Sequence, residues 1–455
     1  MDYSASLHYL ESLGGELRPR AKYDLNQVRI LLTALGSPER RFPALHIAGT
    51  NGKGSTAAYC ERGLRAAGYR TGLFTSPHLE RVNERIQVAG RPIPDDDFAC
   101  HCTTVVGAGR SLVERGDLPQ MPSYFETLTG LGFLYFAAQK IEIGVIEVGL
   151  GGRLDATNTV VPIVSVITPV GLDHEQYLGP TLTAIAAEKA GILRPAVPCI
   201  MAQQPEAAAQ VIRQKALELG APLRPIAWPP ASPVGGGRYQ VTLDWQNEPV
   251  KLVPALRGRH QALNAAVAAA GLDELTRRGF AIGPDALRSG LTLAEWPGRL
   301  ECWQCPASLA DKSRAGMASH AAPVSSARTV WLDGAHNPAA AQTLADFLSE
   351  AEMPNPVLIF GCMRDKAADE IMAILAPRIS SLIVTAPQNP RAASPEQLSA
   401  LARPLGLEVQ TAPDFPAAMR LAAATPAGLP WLISGSLFLV GEARTWLASH
   451  GGRLV

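Results

Sequence analysis

A short glycine-rich segment constrains the fold of this chain more strongly than any other feature of the sequence. It reads Gly49-Thr50-Asn51-Gly52-Lys53-Gly54-Ser55 and directly follows an apolar run, Ala44–Ala48. From Lys53 to Gly68, apolar residues then recur at helical spacing. Backbone N–H groups at a glycine turn that opens a helix form a cradle for phosphate oxygens, and Lys53 adds a positive charge. The sequence therefore predicts a phosphate-binding loop between a strand and a helix.

The segment departs from the general pattern of such loops at one position. That pattern needs a glycine five residues before Gly52, where this chain has Ile47. A glycine turn that binds no ligand is the alternative interpretation. The strand before the turn, the helix after it and Lys53 at the junction favour phosphate binding.

Length and composition predict a globular protein of two domains. The chain has 455 residues, more than one ordinary hydrophobic core accommodates, and 47% of them are hydrophobic. Lysine plus arginine and aspartate plus glutamate number 41 each, so no net charge attracts nucleic acid or an anionic membrane. The N-terminus lacks the pattern of a signal peptide, and seven scattered cysteines indicate reduced thiols. We therefore expect a cytoplasmic protein without a nucleic-acid or membrane partner.

The order of apolar segments predicts an α/β fold, because strand candidates alternate with helical stretches as in a mainly parallel sheet. We expect a P-loop domain over residues 1–296 and a smaller Rossmann-like α/β domain over residues 297–455. Residues 306–327 are expected to form a flexible insertion, and residues 229–237 a loop between edge strands. The strand candidates are 44–48, 71–75, 144–148, 163–168 and 198–202 in the first domain and 330–333, 357–360, 382–385 and 431–434 in the second; helices are expected from 53, over 124–139 and over 182–190.

Three polar residues near strand ends could hold a magnesium ion beside the loop. Glu147 lies near the end of a buried strand candidate, where a carboxylate is costly unless a cation or a donor pairs with it. Magnesium or a salt bridge to Arg153 would each satisfy this carboxylate. His174 follows the next strand, where Asp173 is an equally good oxygen donor and a purely structural histidine is the alternative. Ser76 ends the strand after the loop helix and could complete the metal shell.

The glycine segment and three longer motifs together resemble a known family of enzymes. The segment has the shortened form of the phosphate loop found in the Mur ligase superfamily, which accounts for Ile47. The longer motifs resemble the branch of dihydrofolate synthases and folylpolyglutamate synthases, and the resemblance runs from about residue 20 to the C-terminus. They are Thr75-Ser76-Pro77-His78-Leu79 with Asn83-Glu84-Arg85-Ile86, then Glu147-Val148-Gly149-Leu150-Gly151-Gly152-Arg153-Leu154-Asp155-Ala156-Thr157-Asn158, and Asp333-Gly334-Ala335-His336-Asn337-Pro338.

The resemblance implies an ATP-dependent ligase that joins a carboxylate to an amino acid. In this family ATP phosphorylates the substrate carboxylate, and the amine of L-glutamate attacks the acyl phosphate. The implied reactions add L-glutamate to dihydropteroate, forming dihydrofolate, and to the γ-carboxylate of reduced folates. Two alternatives stay open, namely folylpolyglutamate synthesis alone and another amino-acid ligase of the Mur type. The implied partners are these small molecules, and the implied protein is a monomer.

The resemblance also assigns residues to the nucleotide, the metal and the chemical step. It implies ATP, two magnesium sites and, as an option, a monovalent cation. The ATP site would comprise Gly49, Thr50, Asn51, Gly52, Lys53, Gly54, Ser55, Asn264, Arg299 and Asp333. The metal ligands would be Ser76, Glu147, His174 and, as a carbamate, Lys189. An unmodified Lys189 facing the phosphates is the alternative. The catalytic residues would be Lys53, His174, Lys189 and His336.

The resemblance also implies which residues bind the pterin substrate and which bind L-glutamate. The pterin side would be formed by Ser123, Tyr124, Phe125, Glu126, Leu154, Asp155 and Ala156. The glutamate side would be formed by His336, Ser434 and Ser436.

A cell-wall ligase is disfavoured because only 48 residues precede Gly49, too few for the nucleotide-sugar domain that such enzymes usually carry. A second alternative is a nucleotide-dependent binding switch that hydrolyses ATP only slowly. The expected inward position of Glu147 and the expected nucleotide site formed by two domains favour an enzyme over such a switch.

Overall fold

The chain forms two compact units, seen in a computed structural model that describes residues 1–14, 24–306, 327–351, 353–426 and 428–455. Both units contain helices and mostly parallel strands, so the predicted α/β class is confirmed. The insertion expected at 306–327 lies, apart from its two end residues, outside the described residues. The first unit comprises Met1–Ser232, Gln240–Ala255 and Gln261–Glu295, and the second comprises Pro233–Tyr239, Leu256–His260 and Trp296–Val455.

The first unit is built on a large sheet. Its strands are β1 (Ala44–Ala48), β2 (Thr71–Phe74), β3 (Ile86–Val88), β4 (Arg91–Pro92), β5 (Ile143–Glu147), β6 (Pro162–Ile167), β7 (Cys199–Ala202) and β8 (Leu223–Ile226). They lie in the order β4-β3-β2-β5-β1-β6-β7-β8. Neighbours from β2 to β8 are parallel, whereas β3 and β4 add an antiparallel edge.

Helices connect these strands, and side-chain caps define where several of them begin. The helix that starts at Tyr124 follows a capping box, in which Ser123 and Glu126 each accept a hydrogen bond from the other's backbone N–H. The helix that starts at Leu182 is capped by the hydroxyl of Thr181. The helices are α1 (Tyr3–Ser12), α2 (Leu25–Ala34), α3 (Lys53–Ala66), α4 (Asp95–Glu114), α5 (Tyr124–Ala138), α6 (Glu175–Leu178), α7 (Leu182–Ala190), α8 (Glu206–Glu218), α9 (His260–Arg277) and α10 (Pro284–Thr292).

Strand β1 carries the glycine segment into the middle of the sheet. It is buried throughout and lies between β5 and β6, with Ile47 opposite Glu147 and Ala48 opposite Ile167. Parallel strands end at the same edge of a sheet, so the segments that follow these three strands emerge side by side. The predicted strand 44–48 and helix 182–190 are confirmed at both ends, and the other predicted strands of this unit are confirmed to within one residue.

The prediction of a loop over residues 229–237 is wrong. Ala231–Gly235 forms a strand, β9, which is followed by β10 (Arg238–Trp245) and β11 (Glu248–Leu252) in a sheet of order β11-β10-β9. Alternate residues of β10 are buried, so one face of this strand packs against the protein. Its two edges pair with β9 and β11. Pro233 is tolerated because β9 is an edge strand, where a missing N–H removes no interior hydrogen bond.

The second unit contains a sheet whose central strands are all parallel. Its strands are β12 (Glu301–Cys305), β13 (Arg328–Leu332), β14 (Val357–Phe360), β15 (Ser381–Val384), β16 (Val409–Thr411), β17 (Trp431–Ser434) and β18 (Arg453–Leu454), in the order β16-β15-β14-β17-β13-β12-β18. The strands predicted in this unit are confirmed to within two residues. Its helices are α11 (Pro338–Glu350), α12 (Ala368–Leu375), α13 (Pro395–Ala402), α14 (Phe415–Ala423) and α15 (Leu437–Ser449).

Short turns of 3₁₀ helix also occur in both units. In the described residues they include Pro38–Arg40, Val82–Arg85, Ala156–Thr159, Ala376–Arg378 and Arg403–Leu405. In the part of the chain that the structure describes, no helix combines the length and the apolar character needed to cross a bilayer.

Helix α3, which begins at the glycine segment, packs unusually closely against α10. A Cβ added to Gly290 of α10 would lie 2.7 Å from Gly63 Cα and 3.2 Å from the carbonyl oxygen of Tyr59. Both neighbours are backbone atoms of α3 and cannot move without displacing that helix. The position of α3 in the unit therefore depends on the missing side chain at Gly290.

Replacing Gly290 with alanine should force α3 and α10 apart and lower the free energy of unfolding by about 1–3 kcal/mol. Gly107 is the matched control, because it is exposed within α4 and an added Cβ would meet nothing within 4 Å. Gly107→Ala should raise the free energy of unfolding by about 0.5–1 kcal/mol through helix propensity. Denaturant unfolding of both variants checks this, and equal stabilities would contradict the close contact.

Candidate active site

The glycine segment after β1 requires glycine at two positions, because a different side chain lies close to the backbone at each of them. Gly49 and Gly52 have φ angles of 148° and 86°, which other residues rarely adopt. A Cβ at Gly49 would overlap the hydroxyl oxygen of Thr168, and one at Gly52 would overlap the side-chain oxygen of Asn264. The turn is therefore enclosed by the segment after β6 on one side and by α9 on the other.

The backbone of this turn is tied to the segment after β6. The N–H groups of Thr50 and Asn51 donate to the carbonyl oxygen of Pro169 at 2.9 and 3.2 Å. The Thr50 hydroxyl donates to the Gly171 carbonyl and accepts from the Gly171 N–H, both at 3.0 Å. The N–H groups of Thr50 and Asn51 are thus occupied within the protein. The first turn of α3, beginning at Lys53, supplies the N–H groups that a helix leaves for a phosphate.

Two lysines converge on one carbonyl oxygen of the turn. Lys53 Nζ donates to the carbonyls of Gly49 and Thr50, each at 3.2 Å, and Lys189 Nζ donates to the Gly49 carbonyl at 2.7 Å. Burial and the neighbouring Lys53 charge lower the pKa of Lys189 to about 7, although the Asp173 carboxylate opposes the shift. Two ammonium groups so close together make this position attractive to an anion.

Glu147, at the end of β5, lies beside Ser76. The buried Glu147 carboxylate accepts a hydrogen bond from the Ser76 N–H at 3.2 Å, which brings together two of the residues assigned to magnesium. Arg153, the alternative partner that the sequence offered for Glu147, instead forms its ion pair with Glu188 at 2.7 Å. The structure therefore shows a backbone hydrogen bond between these two residues at this strand end, and an ion pair of Arg153 with Glu188.

His174 lies in the segment that holds the glycine turn. Its backbone is left-handed, with φ 52°, and its N–H donates to Asp173 Oδ1 at 2.9 Å. Gln204 fixes the same segment from the other side, accepting from the Val170 N–H at 2.8 Å and donating to the Thr168 carbonyl at 3.0 Å. The Asp173 carboxylate is near enough to Lys189 to raise the pKa of that lysine, so this segment lies in the neighbourhood of the two lysines.

The Glu147 carboxylate at this edge is the kind of oxygen ligand that magnesium prefers. Within the described residues there is no group of three or more histidine, cysteine, aspartate and glutamate side chains with metal-binding geometry. Magnesium is usually held by one or two protein carboxylates together with phosphates and water. Glu147 next to Ser76, close to a phosphate-type turn, matches that requirement.

Helix α9 brings a polar pair to the glycine turn. Asn264 Nδ2 donates to Gln261 Oε1 at 3.0 Å, and Gln261 Nε2 donates to the Ser55 hydroxyl at 3.3 Å. Asn264 also lies against Gly52, so this predicted nucleotide residue is beside the turn. Sequence reasoning missed Gln261, although a glutamine in an otherwise alanine-rich helix face was a usable signal.

The segment assigned to the pterin divides into capping residues and aromatic residues. Ser123 and Glu126 are engaged with each other in the capping box, where Glu126 Oε2 accepts from the Ser123 N–H at 2.8 Å. Tyr124 and Phe125 extend from the first turn of α5. The Phe125 ring occupies the space beside Gly149, which follows Glu147 by two residues. Phe125 is therefore close to the loop that follows Glu147.

Asp155 is the centre of a buried hydrogen-bond network. Its carboxylate accepts from the Leu150 N–H at 2.8 Å and from the Thr157 hydroxyl at 2.5 Å. Because the Thr157 proton goes to Asp155, His46 Nε2, 3.0 Å from that hydroxyl, must be the donor to it. Burial raises the pKa of Asp155 and lowers that of His46 to about 3. The hydrogen bonds that the structure shows for Asp155 shape the loop after Glu147.

The two neighbours of Asp155 in the pterin assignment differ in burial. Leu154 is half-buried against the hydrophobic core of the first unit, and Ala156 is buried within it. These contacts describe packing of the loop.

An arginine and a histidine that the sequence reasoning gave no role lie beside Tyr124. Arg85 is buried, stands over the Tyr124 ring at 5.7 Å and donates from Nε to His78 Nδ1 at 2.8 Å. Burial and the Arg85 charge lower the pKa of His78 to about 3, so the imidazole is neutral. Both residues belong to the motifs that carried the family resemblance, which was the available signal.

The second unit collects its assigned residues at the carboxyl edge of its sheet. Asp333 follows β13 and accepts from the N–H groups of Leu300 at 3.0 Å and Ala335 at 2.9 Å. Burial raises the pKa of Asp333, and the nearby Arg299 guanidinium opposes this shift. Arg299 and Asp333, two residues assigned to the nucleotide, are thus close to each other.

The residues assigned to glutamate follow the same edge. His336 Nδ1 lies 2.8 Å from the Gly334 carbonyl oxygen, which can only accept, so Nδ1 is the donor in this hydrogen bond. Ser434 is the buried last residue of β17. Ser436 caps α15, accepting from the Phe438 N–H at 3.1 Å.

Comparison with known proteins identifies relatives for both units. Residues 47–272 match the Mur ligase middle domain, and residues 321–437 match the glutamate ligase domain of Mur ligases. A dihydrofolate synthase/folylpolyglutamate synthase of Bacillus subtilis is 37% identical over 363 residues, covering 77% of this chain and 78% of the relative.

Two solved structures are similar over nearly the whole chain. The Mycobacterium tuberculosis folylpolyglutamate synthase complexed with ADP and AMPPCP has a TM-score of 0.84 at 32% identity, covering 98% of this chain and 99% of that chain. The Escherichia coli FolC in complex with DHPP and ADP has a TM-score of 0.79 at 29% identity, covering 99% of this chain and 98% of that chain. These findings confirm the resemblance seen in the sequence motifs. The chain belongs to the dihydrofolate synthase/folylpolyglutamate synthase family of Mur ligases.

Proposed function

We propose that this protein is an ATP-dependent ligase that adds L-glutamate to dihydropteroate and to the γ-carboxylate of reduced folates. The observation that carries the proposal is the convergence of Lys53 and Lys189 on the Gly49 carbonyl, at a turn that opens onto α3. This arrangement suits a nucleoside triphosphate, and the related structures hold ADP, AMPPCP and DHPP. Family membership and the Glu147–Ser76 pair support the same activity.

In the proposed reaction the protein mainly positions groups and neutralises charge. Phosphoryl transfer needs the acceptor in line with the γ-phosphate and compensation of the phosphate charge. The first turn of α3 and the Lys53 ammonium group would bind the phosphates, and Asn264 would contact the nucleotide beside Gly52. A carboxylate oxygen of the substrate attacks the γ-phosphorus, the bond to the bridging oxygen breaks, and ADP leaves. The resulting acyl phosphate is a better electrophile than a carboxylate.

Amide formation then requires a neutral amine on L-glutamate. The nitrogen attacks the acyl carbon, the carbon–phosphate oxygen bond breaks, and inorganic phosphate leaves with the bonding electrons. His336, whose Nδ1 donates to the Gly334 carbonyl, lies at the carboxyl edge of the sheet in the second unit, and Nε2 of its neutral imidazole is the proposed acceptor for the amine proton. Ser434 and Ser436 are proposed to bind the amino acid at the same sheet edge.

We propose that Glu147, Ser76 and His174 hold magnesium beside the phosphate turn. A bound magnesium ion would neutralise phosphate charge during transfer. Glu147 is buried and already lies against Ser76, which fits an oxygen site built from few protein ligands. The aromatic pair Tyr124 and Phe125 is proposed to contact the pterin, with the buried Arg85 behind Tyr124.

Lys189 has two proposed states. Its pKa of about 7 leaves much of the amine neutral near pH 7.5, and a neutral amine is the form that attacks carbon dioxide to give a carbamate. The carbamate would supply oxygen ligands for a second magnesium ion. The alternative is an unmodified ammonium group that faces the phosphates together with Lys53.

The activity is tested with ATP, magnesium, L-glutamate and either dihydropteroate or a reduced folate monoglutamate, with phosphate release and product mass measured. We expect phosphate release that depends on both acceptors, and products larger by one glutamyl residue from each folate substrate. Product from the reduced folate alone would restrict the protein to polyglutamate synthesis. Release that is independent of both acceptors would contradict a ligase.

Replacing Glu147 with glutamine should raise the magnesium concentration for half-maximal activity by at least about tenfold, because a charged oxygen ligand is lost. Lys53→Ala should instead raise the KM for ATP at saturating magnesium, since it removes a phosphate contact. Glu114→Gln, a change at an exposed residue of α4, serves as the control. An unchanged magnesium titration in Glu147→Gln would remove this residue from the metal site.

Carbamate formation at Lys189 should give a carbon-13 NMR signal after incubation with labelled bicarbonate. The signal should grow as the pH rises through about 7, because the neutral amine is then more abundant. Lys189→Arg is the control, since a guanidinium does not form a carbamate under these conditions. Identical spectra of the two proteins would leave Lys189 as an unmodified cation.

A further inference from the structure

The residue assigned to the nucleotide in the second unit, Arg299, stands between two unusual backbone conformations. Gly298 and Leu300 have φ angles of 74° and 47°. A positive φ suits Gly298 but is unfavourable for leucine, whose Cβ crowds the backbone in this region. Leu300 is also fully buried, so its side chain anchors the turn in the core. Strain of this kind persists only where the surroundings enforce it.

Two carboxylates enforce this turn from opposite sides of Arg299. Glu301 Oε2 accepts from the Gly298 N–H at 2.8 Å, and Asp333 Oδ2 accepts from the Leu300 N–H at 3.0 Å. The Gly334 N–H donates to the Gly298 carbonyl at 3.0 Å and closes the arrangement. The backbone on both sides of Arg299 is therefore held by charge-assisted hydrogen bonds.

Glu301 is itself held in place by a residue distant in the sequence. Its other oxygen, Oε1, accepts from Arg444 Nε at 3.0 Å, and Arg444 lies on α15. The Glu301 carboxylate is buried, and its two oxygens have different partners. The hydrogen bond from Arg444 to Oε1 thus orients the carboxylate so that Oε2 faces the Gly298 N–H.

We infer that Glu301 and Arg444 form a positioning pair that presents the Arg299 guanidinium to the nucleotide. The pair acts through the backbone of Gly298 and does not itself touch the substrate. Asp333 provides the second support, and Arg299 Nη1 rests 3.4 Å from the Gly298 carbonyl. This inference relies on the proposed ATP-dependent activity and on the nucleotide contact assigned to Arg299.

Glu301 alone would not be sufficient to hold the turn at Gly298 in place. Without Arg444 the Glu301 side chain would be free to turn towards another donor, and the Gly298 N–H would lose its acceptor. The turn could then relax Leu300 to a negative φ, which would swing the side chain of Arg299 away. Small displacements of a binding group are enough to reduce binding strongly.

The test compares steady-state kinetics of Glu301→Gln, Arg444→Met and Arg444→Lys with the unaltered full-length protein. Glu301→Gln and Arg444→Met should raise the KM for ATP about tenfold, with the KM for L-glutamate changed less than about twofold. Arg444→Lys keeps the charge and should restore much of the affinity. Melting temperatures of all variants show whether they are folded under the assay conditions.

Asp273→Asn is the matched control for loss of a buried ion pair. Asp273 is buried and lies 2.5 Å from Arg224, in the first unit. The substitution should lower the melting temperature and leave the KM for ATP unchanged. An equal rise of this KM in the control would mean that general destabilisation, and not positioning, explains the effect.

A double-mutant cycle with Arg299→Ala separates failure of the inference from failure of the nucleotide assignment. If Glu301 acts through Arg299, adding Glu301→Gln to Arg299→Ala should raise the KM for ATP no further. Additive effects, or a normal KM in Glu301→Gln while Arg299→Ala is impaired, would overturn the inference. A normal KM for ATP in Arg299→Ala would instead overturn the assignment of Arg299 to the nucleotide.

Discussion

The carbonyl oxygen of Gly49 accepts hydrogen bonds from the amino groups of two lysines, and the arrangement of the glycine turn depends on this contact. Like charges at this distance repel, which is one reason for the lowered pKa of Lys189. Such a pair is favourable when an anion lies between or beside the two groups. An anion bound here would therefore favour the charged form of both amines.

The parallel sheet determines which groups can gather around that position. Strands β1, β5 and β6 are neighbours with matched ends, so Gly49, Glu147 and the segment leading to His174 leave the sheet at one edge. The second unit follows the same rule, because β13 and β17 are neighbours and carry Asp333 and Ser434 at their ends. In each unit the order of strands, more than any loop, decides which distant residues become close.

The sequence allowed the strands, the phosphate turn and its helix to be predicted because they depend on local apolar patterns and glycine spacing. Gly52 and Lys53 were identifiable on those grounds alone. The strand Ala231–Gly235 was not, because proline and glycine hide an edge strand whose only support is its neighbour. Gln261 and Glu301 were also missed, since their roles arise from contacts with Ser55 and with Arg444, far away in the sequence. For Asp155, Ser123 and Glu126, the family motif predicted substrate contacts, and the structure shows the hydrogen bonds that shape their own loops.

The hydrogen bond between Arg85 and His78 determines how the charge beside Tyr124 responds to pH. A histidine usually gains charge between pH 8 and 5, and a pocket lined by one then changes its field over that interval. Here the Nδ1 lone pair of His78 is engaged by Arg85, and the imidazole stays neutral down to a pH of about 3. The pair accordingly keeps one positive charge, that of Arg85, over this interval. The charge beside the Tyr124 ring from these two residues is the same at pH 5 as at pH 8.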